Sequence, residues 1–278
     1  MGETIIKNLL LGVLLFVFVA PVLANDKKDN VSLALEIASY HYIEPTHMRL
    51  DGIKYGVNAE LFSRNSLSEL SNRLFCALQA RFMIGTVDYV GSLMETKTPY
   101  KAYDIIDWYV ESRCLLGYAY DTYGVFEILP YTGIGCRYLF NELSKDFYGY
   151  GYDRENMYIY LPLGIDFKFK CKKEFNIVLN AEYDLFCFGI HESYLTTPSA
   201  KLYQNCGYGF RFSGKISKKY RNIILSAGPF VRYWSIEESS NKVTVERFSK
   251  EGELLTRTNY FEPKNSTIEF GVHFGVQF

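Results

Sequence analysis

The stretch STIEFGVHFGVQF, residues 266–278, ends the chain on an aromatic side chain after an unbroken alternation. Every second residue is apolar, so these side chains would share one face of a β-strand: Ile268, Phe270, Val272, Phe274, Val276 and Phe278. Glu269, His273 and Gln277 would lie on the opposite face. The stretch therefore predicts a strand between an apolar and a polar environment. A soluble sheet edge would show the same pattern, so the rest of the chain must decide the setting.

The N-terminal segment predicts export. Lys7 precedes an apolar run from Leu9 to Leu23, which Pro21 interrupts and which is followed by the small residue Ala24. This is the pattern of a secretory signal peptide, and the run is short for a membrane-spanning helix of ~20 residues. We therefore expect residues 1–24 to be a signal peptide and residues 25–278 to be the exported domain.

Composition narrows the class of protein. The 278 residues carry a formal net charge of −1, which gives no basis for nucleic-acid binding. Tyr (24), Phe (21) and Trp (2) together make up 17% of the chain, and such rings favour the interface of a bilayer. Mean hydropathy is −0.07, and no apolar run after residue 24 is long enough for a helical span. A helical membrane protein is therefore excluded.

Ten segments of the exported part alternate apolar and polar residues in the manner of β-strands. They span residues 32–43, 53–63, 73–86, 105–120, 125–140, 157–170, 175–190, 206–216, 223–236 and 267–278. Most are at least as long as the ~9 to 11 residues that a tilted strand needs to cross a membrane. Links after even-numbered segments are short, whereas those after odd-numbered segments are mostly long; the longest covers residues 237–266. Within it, alternation on both sides of SKEGE predicts a hairpin.

The signal peptide, the ten segments and the terminal FGVQF together resemble a Gram-negative outer-membrane β-barrel. The resemblance covers residues 25–278. It implies an all-β, membrane-spanning, antiparallel up-and-down barrel with short periplasmic turns and long extracellular loops. It also implies outer-membrane lipid, lipopolysaccharide and the barrel-insertion machinery as partners. The aromatic C-terminal strand is similar to the signal that the barrel-insertion machinery reads in that class. The resemblance therefore implies this role for Phe274 and Phe278.

Charged residues recur at positions opposite in parity to the apolar ones, so in a barrel they would point inward. We expect them to form one paired network in a plugged lumen, because pairing is cheaper than isolated burial. The candidate members are Asp107, Glu111, Arg113, Glu127, Arg137, Glu182, Arg211, Arg232 and Glu269.

The six cysteines share the parity of the apolar residues and would face lipid as small hydrophobic side chains. Cys187 and Cys206 are the one pair for which we consider a disulfide. No C-x-x-C spacing or His cluster indicates a metal site, and we expect no cofactor.

One constellation suggests catalysis. His191, Ser193 and Asn205 have a spacing similar to the His, Ser and Asn of outer-membrane phospholipase A. Parity predicts that His191 and Ser193 face lipid and that Asn205 faces the interior, so the triad would form only if a bulge intervened. A lipid A deacylase would use the same His191 and Ser193.

Omptin proteases are also ten-stranded barrels, but they place an Asp and a His close together near the outer rim, and the chain has no D-x-H sequence. His41 and His47 flank the first outer loop, where either could meet Glu44 or Asp51. A hydrated rim is the simpler interpretation.

The function that the sequence favours is a structural or surface-binding barrel with a possible extracellular ligand, rather than an enzyme. A narrow porin-like solute channel is the first alternative, and a lipid hydrolase using His191 and Ser193 is a distant one.

Overall fold

The computed structural model describes residues 30–64, 73–92, 98–122, 124, 126–143, 151–171, 175–194, 199–248 and 254–278, and almost all of these lie in antiparallel strands. The strands are β1 (Asn30–Glu44), β2 (Met48–Arg64), β3 (Leu74–Ser92), β4 (Pro99–Tyr118), β5 (Tyr120–Thr122), β6 (Phe126–Asn141), β7 (Arg154–Lys170), β8 (Phe175–Ser193), β9 (Ala200–Gln204), β10 (Gly207–Tyr220), β11 (Ile223–Ile236), β12 (Val243–Phe248), β13 (Leu254–Tyr260) and β14 (Asn265–Gln277).

Ten of these strands close a barrel by pairing each with its neighbour. The order around the barrel is β1, β2, β3, β4, β6, β7, β8, β10, β11 and β14, and β14 pairs with β1 to complete the ring. Closure leaves no unpaired edge between these strands, which a sheet in lipid requires. The predicted all-β, up-and-down barrel with short periplasmic turns and long extracellular loops is confirmed.

The outer wall carries an apolar belt. On β14 the outward side chains run from Phe278 to Ile268, and Phe270 and Phe274 are among the most exposed of them. Ten residue steps cover ~33 Å of strand, which at a tilt of roughly 40° spans about 25 Å of membrane thickness. This matches the height of the apolar band in outer-membrane barrels.

Aromatic side chains gather at two levels of the outer wall, as in the girdles of membrane barrels. Contacting rings near the short-turn rim belong to Tyr118, Tyr120, Phe126, Phe167 and Phe169. Contacting rings nearer the opposite rim belong to Phe82, Trp108, Tyr138 and Phe140.

All ten predicted segments are strands, and most continue beyond the predicted ends on the long-loop side. The extension shortens one predicted loop, because β1 and β2 pair as far as Glu44 with Met48 and leave a three-residue turn in which Thr46 has a φ of 68°. On the opposite rim, Tyr220 pairs with Ile223 across a two-residue turn with Arg221 at a φ of 55°.

Beyond the barrel, β12 and β13 pair as the hairpin predicted within residues 237–266. The short strand β9 pairs with the upper part of β8. The hairpin packs on the barrel through Tyr260 and Val243, which contact Ala200 and Leu202. The long loop is therefore a structured extracellular projection.

The six cysteines are free thiols on the outer wall. Cys187 and Cys206 are not joined by a disulfide. Both lie between two register pairs of neighbouring strands, Gly189 with Gln204 and Leu185 with Tyr208.

No helix in the described ranges is long and apolar enough to cross a membrane. The predicted signal peptide, residues 1–24, lies outside the described residues and stays a prediction.

The topology gives a labelling prediction. An epitope inserted between β12 and β13 should be reached by antibody on intact cells, whereas one inserted in the turn at Arg221 and Asn222 should be reached only after the outer membrane is permeabilised. Because both insertions carry the same epitope, each one serves as the control for the other. The reverse pattern would contradict the orientation.

Candidate functional site: the closed interior

The inward face of the barrel holds polar side chains that would be intolerable in lipid. At mid-height six basic and six acidic side chains form what we call the charge layer: Lys54, Arg81, Arg113, Arg137, Arg211 and Arg232 with Glu36, Asp107, Glu111, Glu182, Asp184 and Glu269. The formal charges cancel. Every barrel strand except β7 contributes a member, and β7 contributes Tyr160, which bonds to Glu111.

Arg211 is the most highly connected member of the charge layer. Its guanidinium contacts Asp184 at 2.6 Å, Glu182 at 3.0 Å and Glu111 at 2.5 Å. Glu111 also accepts a hydrogen bond from Arg81 at 2.6 Å. Bonds of this kind to ionised groups are the stronger class, and here they join β3, β4, β8 and β10 across the lumen.

On the other side of the lumen Glu269 plays the corresponding role. It accepts from Arg137 at 2.7 Å, from the hydroxyl of Tyr109 at 2.7 Å and from Arg232 at 3.3 Å. Arg232 reaches on to Glu36 at 2.8 Å. These bonds join the last strands of the barrel to β1, so the network also supports closure.

Lys54 and Asp107 form a separate pair within the charge layer. The ammonium of Lys54 is fully buried, bonds to Asp107 and lies 3.5 Å from the centre of the Tyr40 ring. Asn141 also donates to Asp107, at 3.1 Å. The ring supplies a cation–π contact that partly replaces lost hydration.

Two glycines make room for the tyrosines that complete the layer. A Cβ at Gly135 would lie 2.2 Å from the ring of Tyr160, and one at Gly164 would lie 2.2 Å from the ring of Tyr131. Tyr131 in turn donates to Glu182 at 2.6 Å. A larger residue at either glycine would displace a ring that satisfies a buried carboxylate.

Eight of the nine predicted lumen residues are in the charge layer: Asp107, Glu111, Arg113, Arg137, Glu182, Arg211, Arg232 and Glu269. Glu127 is also buried but lies near the short-turn rim, where it pairs with Arg64 at 3.0 Å and Lys168 at 3.9 Å. Glu127 and Arg137 lie towards opposite ends of β6, so Glu127 is outside the charge layer.

Of the other four members of the charge layer, Asp184 shares the inward parity of Glu182 on β8, whereas sequence reasoning missed Glu36, Lys54 and Arg81 on the first three strands. Each shares the inward parity of its strand, since the neighbours two residues away, Ala38 and Met83 among them, are buried in the interior. The signal was present in the alternation of β1, β2 and β3. It was weaker there because small and apolar residues also occupy inward positions.

An apolar and aromatic cluster packs into the charge layer through Tyr109, Tyr160 and Phe230 and extends above it through Tyr158, Phe186, Trp234 and Ile236. The cluster contains Ala38, Met83, Tyr109, Leu139, Tyr158, Tyr160, Phe186, Phe230, Trp234 and Ile236. Arg137 and Arg211 lie within 6.0 Å of the Trp234 ring. The charges are thus sealed from the extracellular side by a packed aromatic layer.

A β-bulge in β8 changes which residues face inward above this layer. Ile159 pairs with Phe188 while Tyr160 pairs with Phe186, so Cys187 has no partner on β7. Below the bulge Glu182, Asp184 and Phe186 point inward, and above it His191 and Ser193 do. An extra residue reverses the alternation of one strand, which is the known effect of a bulge. The predicted lipid-facing orientation of His191 and Ser193 is therefore wrong.

His191 and Ser193 belong to a buried cluster, which we call the cap cluster: Tyr42, Glu44, Arg154, Asn156, His191, Ser193, Tyr260 and Glu262. His191 Nε2 lies 2.6 Å from Ser193 Oγ and 3.1 Å from Glu262, while its Nδ1 lies 2.7 Å from Asn156 Oδ1. Ser193 contacts the hydroxyl of Tyr260 at 2.9 Å. The cap cluster ties the β12–β13 hairpin to the barrel.

Asn205 takes no part in this cluster. It is exposed and donates to Ser240 at 3.2 Å, so the predicted inward position is wrong and the predicted triad does not form. His191 and Ser193 are both fully buried. A lipid substrate has no direct route to them in this arrangement.

Glu262 lies in the extracellular segment between β13 and β14. Burial, together with the nearby Glu44 carboxylate, raises the pKa of Glu262 well above its ordinary value. The Glu44 carboxylate itself pairs with Arg154 at 2.8 Å. The carboxyl group of Glu262 therefore keeps its proton to higher pH in the folded barrel than in the unfolded chain.

The fold is similar to that of the outer membrane protease OmpT from Escherichia coli, with a TM-score of 0.60 over 91% of this chain and 97% of that chain at 8% identity. The fold is that of an outer-membrane β-barrel. The beta domain of the Bordetella autotransporter BrkA matches with a TM-score of 0.41 at 10% identity, over 90% of this chain and 98% of that chain. Neisserial surface protein A matches with a TM-score of 0.32 at 13% identity, over 89% and 95%.

No family model matches the sequence, and no curated protein matches it. At 8% identity the similarity to OmpT concerns the fold alone. The barrel fold and its exposed apolar belt agree with the predicted outer-membrane location.

The proton on Glu262 gives a pH-dependent prediction. The folded barrel keeps this proton at pH values above 4.5, where the unfolded chain releases it, so Glu262 lowers stability increasingly as pH rises. Glu262→Gln lacks this penalty. We expect the variant to be more stable than the parent at pH 8 and the difference to vanish near pH 4, measured by denaturant unfolding in detergent micelles.

Glu44→Gln is the matched control. It removes the carboxylate that pairs with the buried Arg154, so it should lower stability at pH 8. If Glu262→Gln were the less stable protein at pH 8, the proposed protonation state of the cap cluster would be wrong.

Proposed function

We propose that this protein is a closed, non-conducting outer-membrane barrel that presents its extracellular end to a ligand or host surface. One observation carries the proposal. The described lumen is filled in successive layers, by the apolar cluster around Phe75 and Leu115, the charge layer, the aromatic cluster around Trp234 and the cap cluster. A solute channel needs a hydrated path that these layers occupy.

The extracellular end supports a binding role. The β12–β13 hairpin stands above the barrel and carries exposed charges, such as Arg257 and Glu246, which pair at 3.2 Å. Lys264 pairs with Glu237 at its base, and Lys242 lies over the Phe261 ring. Loops that are held on a rigid scaffold are where proteins of this architecture place recognition. Mixed charge and aromatic rings suit a protein or carbohydrate partner.

Single-channel recording in planar bilayers tests the closed lumen. We expect the refolded parent to show almost no conductance. Shortening the hairpin by joining Thr244 to Asn259 across a tight turn should leave the barrel equally non-conducting, because the charge and aromatic layers lie beneath the hairpin. A parent that conducts steadily would replace this proposal with the narrow porin-like channel.

Arg232→Ala should open the lumen and destabilise the barrel. The change leaves Glu36 and Glu269 with one cationic partner fewer in a buried setting, which costs roughly 3 to 5 kcal/mol. We expect small, irregular conductance and a lower temperature for the heat-induced gel mobility shift.

Arg257→Ala serves as the control, since it breaks an exposed ion pair worth about 0 to 1 kcal/mol. Equal heat stability of Arg232→Ala and Arg257→Ala would show that the lumen charges are hydrated rather than packed.

A further inference from the structure

A polar chain interrupts the apolar outer wall on β1 and β2. Ser39, His41 and Asp51 all have outward-pointing side chains, and the side chains of His41 and Asp51 are 45% and 40% exposed. Neither the closed lumen nor the extracellular hairpin accounts for them. Polar residues on the membrane-facing side of a barrel are costly, so their presence calls for a reason.

The three side chains form a continuous hydrogen-bonded chain. Ser39 Oγ lies 2.8 Å from His41 Nε2, and His41 Nδ1 lies 2.7 Å from Asp51 Oδ1. The backbone fixes this arrangement, because residues two apart on β1 share a face and Asp51 is the register partner of His41 on β2. Arg49 holds the other oxygen of Asp51 at 3.2 Å.

The bonding pattern sets the tautomer of His41. A carboxylate only accepts, so Nδ1 carries the hydrogen that Asp51 receives and Nε2 offers its lone pair to the Ser39 hydroxyl. This is the order of groups that activates a serine: a nucleophile, a base within hydrogen-bond reach and an acid that orients the base.

The surroundings of Ser39 indicate the kind of substrate. Its register partners are Phe270 on β14 and Ile53 on β2, which are 60% and 53% exposed on the outer wall, and Ile37 on the same strand face is 43% exposed. His41 stands opposite Ile268, the last apolar residue of the belt on β14. Ser39 therefore lies just inside the upper edge of the apolar belt, with Asp51 and Arg49 nearer the extracellular rim.

We propose that Ser39, His41 and Asp51 form a serine esterase site that hydrolyses an acyl ester of a lipid in the outer leaflet. The acyl chain would lie against Phe270, Ile53 and Ile37. The exposed guanidinium of Arg49 supplies positive charge at the level of the lipid phosphate groups.

Each step balances with water as the only co-substrate. Ser39 Oγ attacks the ester carbonyl while His41 Nε2 takes the hydroxyl proton, and collapse of the tetrahedral intermediate passes that proton to the departing alcohol. Water then attacks the acyl-serine with His41 as base, which releases the fatty acid and restores Ser39. Asp51 is a positioning residue that holds the ring of His41.

The cap cluster offers an internal control, because Ser193 also lies 2.6 Å from a histidine but is fully buried. A serine-reactive fluorophosphonate should label the folded parent in detergent at Ser39, as located by peptide mass spectrometry. Label should be lost in Ser39→Ala and His41→Asn and retained in Ser193→Ala. Label at Ser193 alone would overturn the proposal.

Activity is measured as fatty acid released from two kinds of vesicle. One contains phosphatidylethanolamine with radiolabelled acyl chains, and the other contains purified lipid A. Release above the Ser39→Ala background in either supports the proposal, and the vesicle that responds identifies the lipid. We expect a fall of roughly a hundredfold or more in Ser39→Ala and His41→Asn.

Asp51→Asn should lower turnover comparably and Asp51→Glu should restore part of it, a pattern that a merely structural role for Asp51 would not produce. The gel mobility shift confirms that each variant is folded. If the folded parent takes no label at Ser39 and releases no fatty acid from either vesicle, the proposal is wrong, whatever the variants do.

Discussion

Charges buried in a narrow, lipid-surrounded cylinder must be neutralised by other charges within the same cylinder. The charge layer meets this constraint with equal numbers of acids and bases, each held by a side chain from another strand. Arg211 bonds to Glu111 and Glu269 bonds to Arg137, and both contacts join strands that are not neighbours in the barrel. Because each such bond spans the lumen, the chemistry that satisfies the charges also fills the interior and fastens β14 to its neighbours. Closure of the barrel and the proposed blockage of its lumen therefore follow from the same requirement for charge neutralisation.

Alternation was sufficient to predict the ten barrel strands and eight members of the charge layer, because the two-residue period of a strand fixes which side chains meet inside. It failed where the period itself changes. The bulge at Cys187 reverses the facing of His191 and Ser193, and nothing in the local sequence marks that extra residue. Partners such as Glu262, which approaches from a hairpin, depend on tertiary contacts that no spacing reveals.

The structure separates two Ser and His pairs that look equivalent in sequence. The pair at Ser193 is buried in the cap cluster, where Glu262 contacts His191 and the Tyr260 hydroxyl contacts Ser193. The pair at Ser39 faces outward within the apolar belt. The proposed closed lumen and the proposed esterase site are compatible, because a barrel without a conducting lumen still offers lipid a rigid outer surface. Any activity on lipid belongs on that surface.

A double-mutant cycle on Lys54 and Asp107 tests the central claim most directly, because these two side chains form a pair apart from the rest of the charge layer. Lys54→Met and Asp107→Asn should each cost about 3 to 5 kcal/mol in the free energy of unfolding, since each leaves a buried charge without its counter-ion. The double variant should recover most of that loss, giving a coupling energy of roughly 2 kcal/mol or more. Small, additive losses would show that the interior charges are solvated and do not hold the barrel closed.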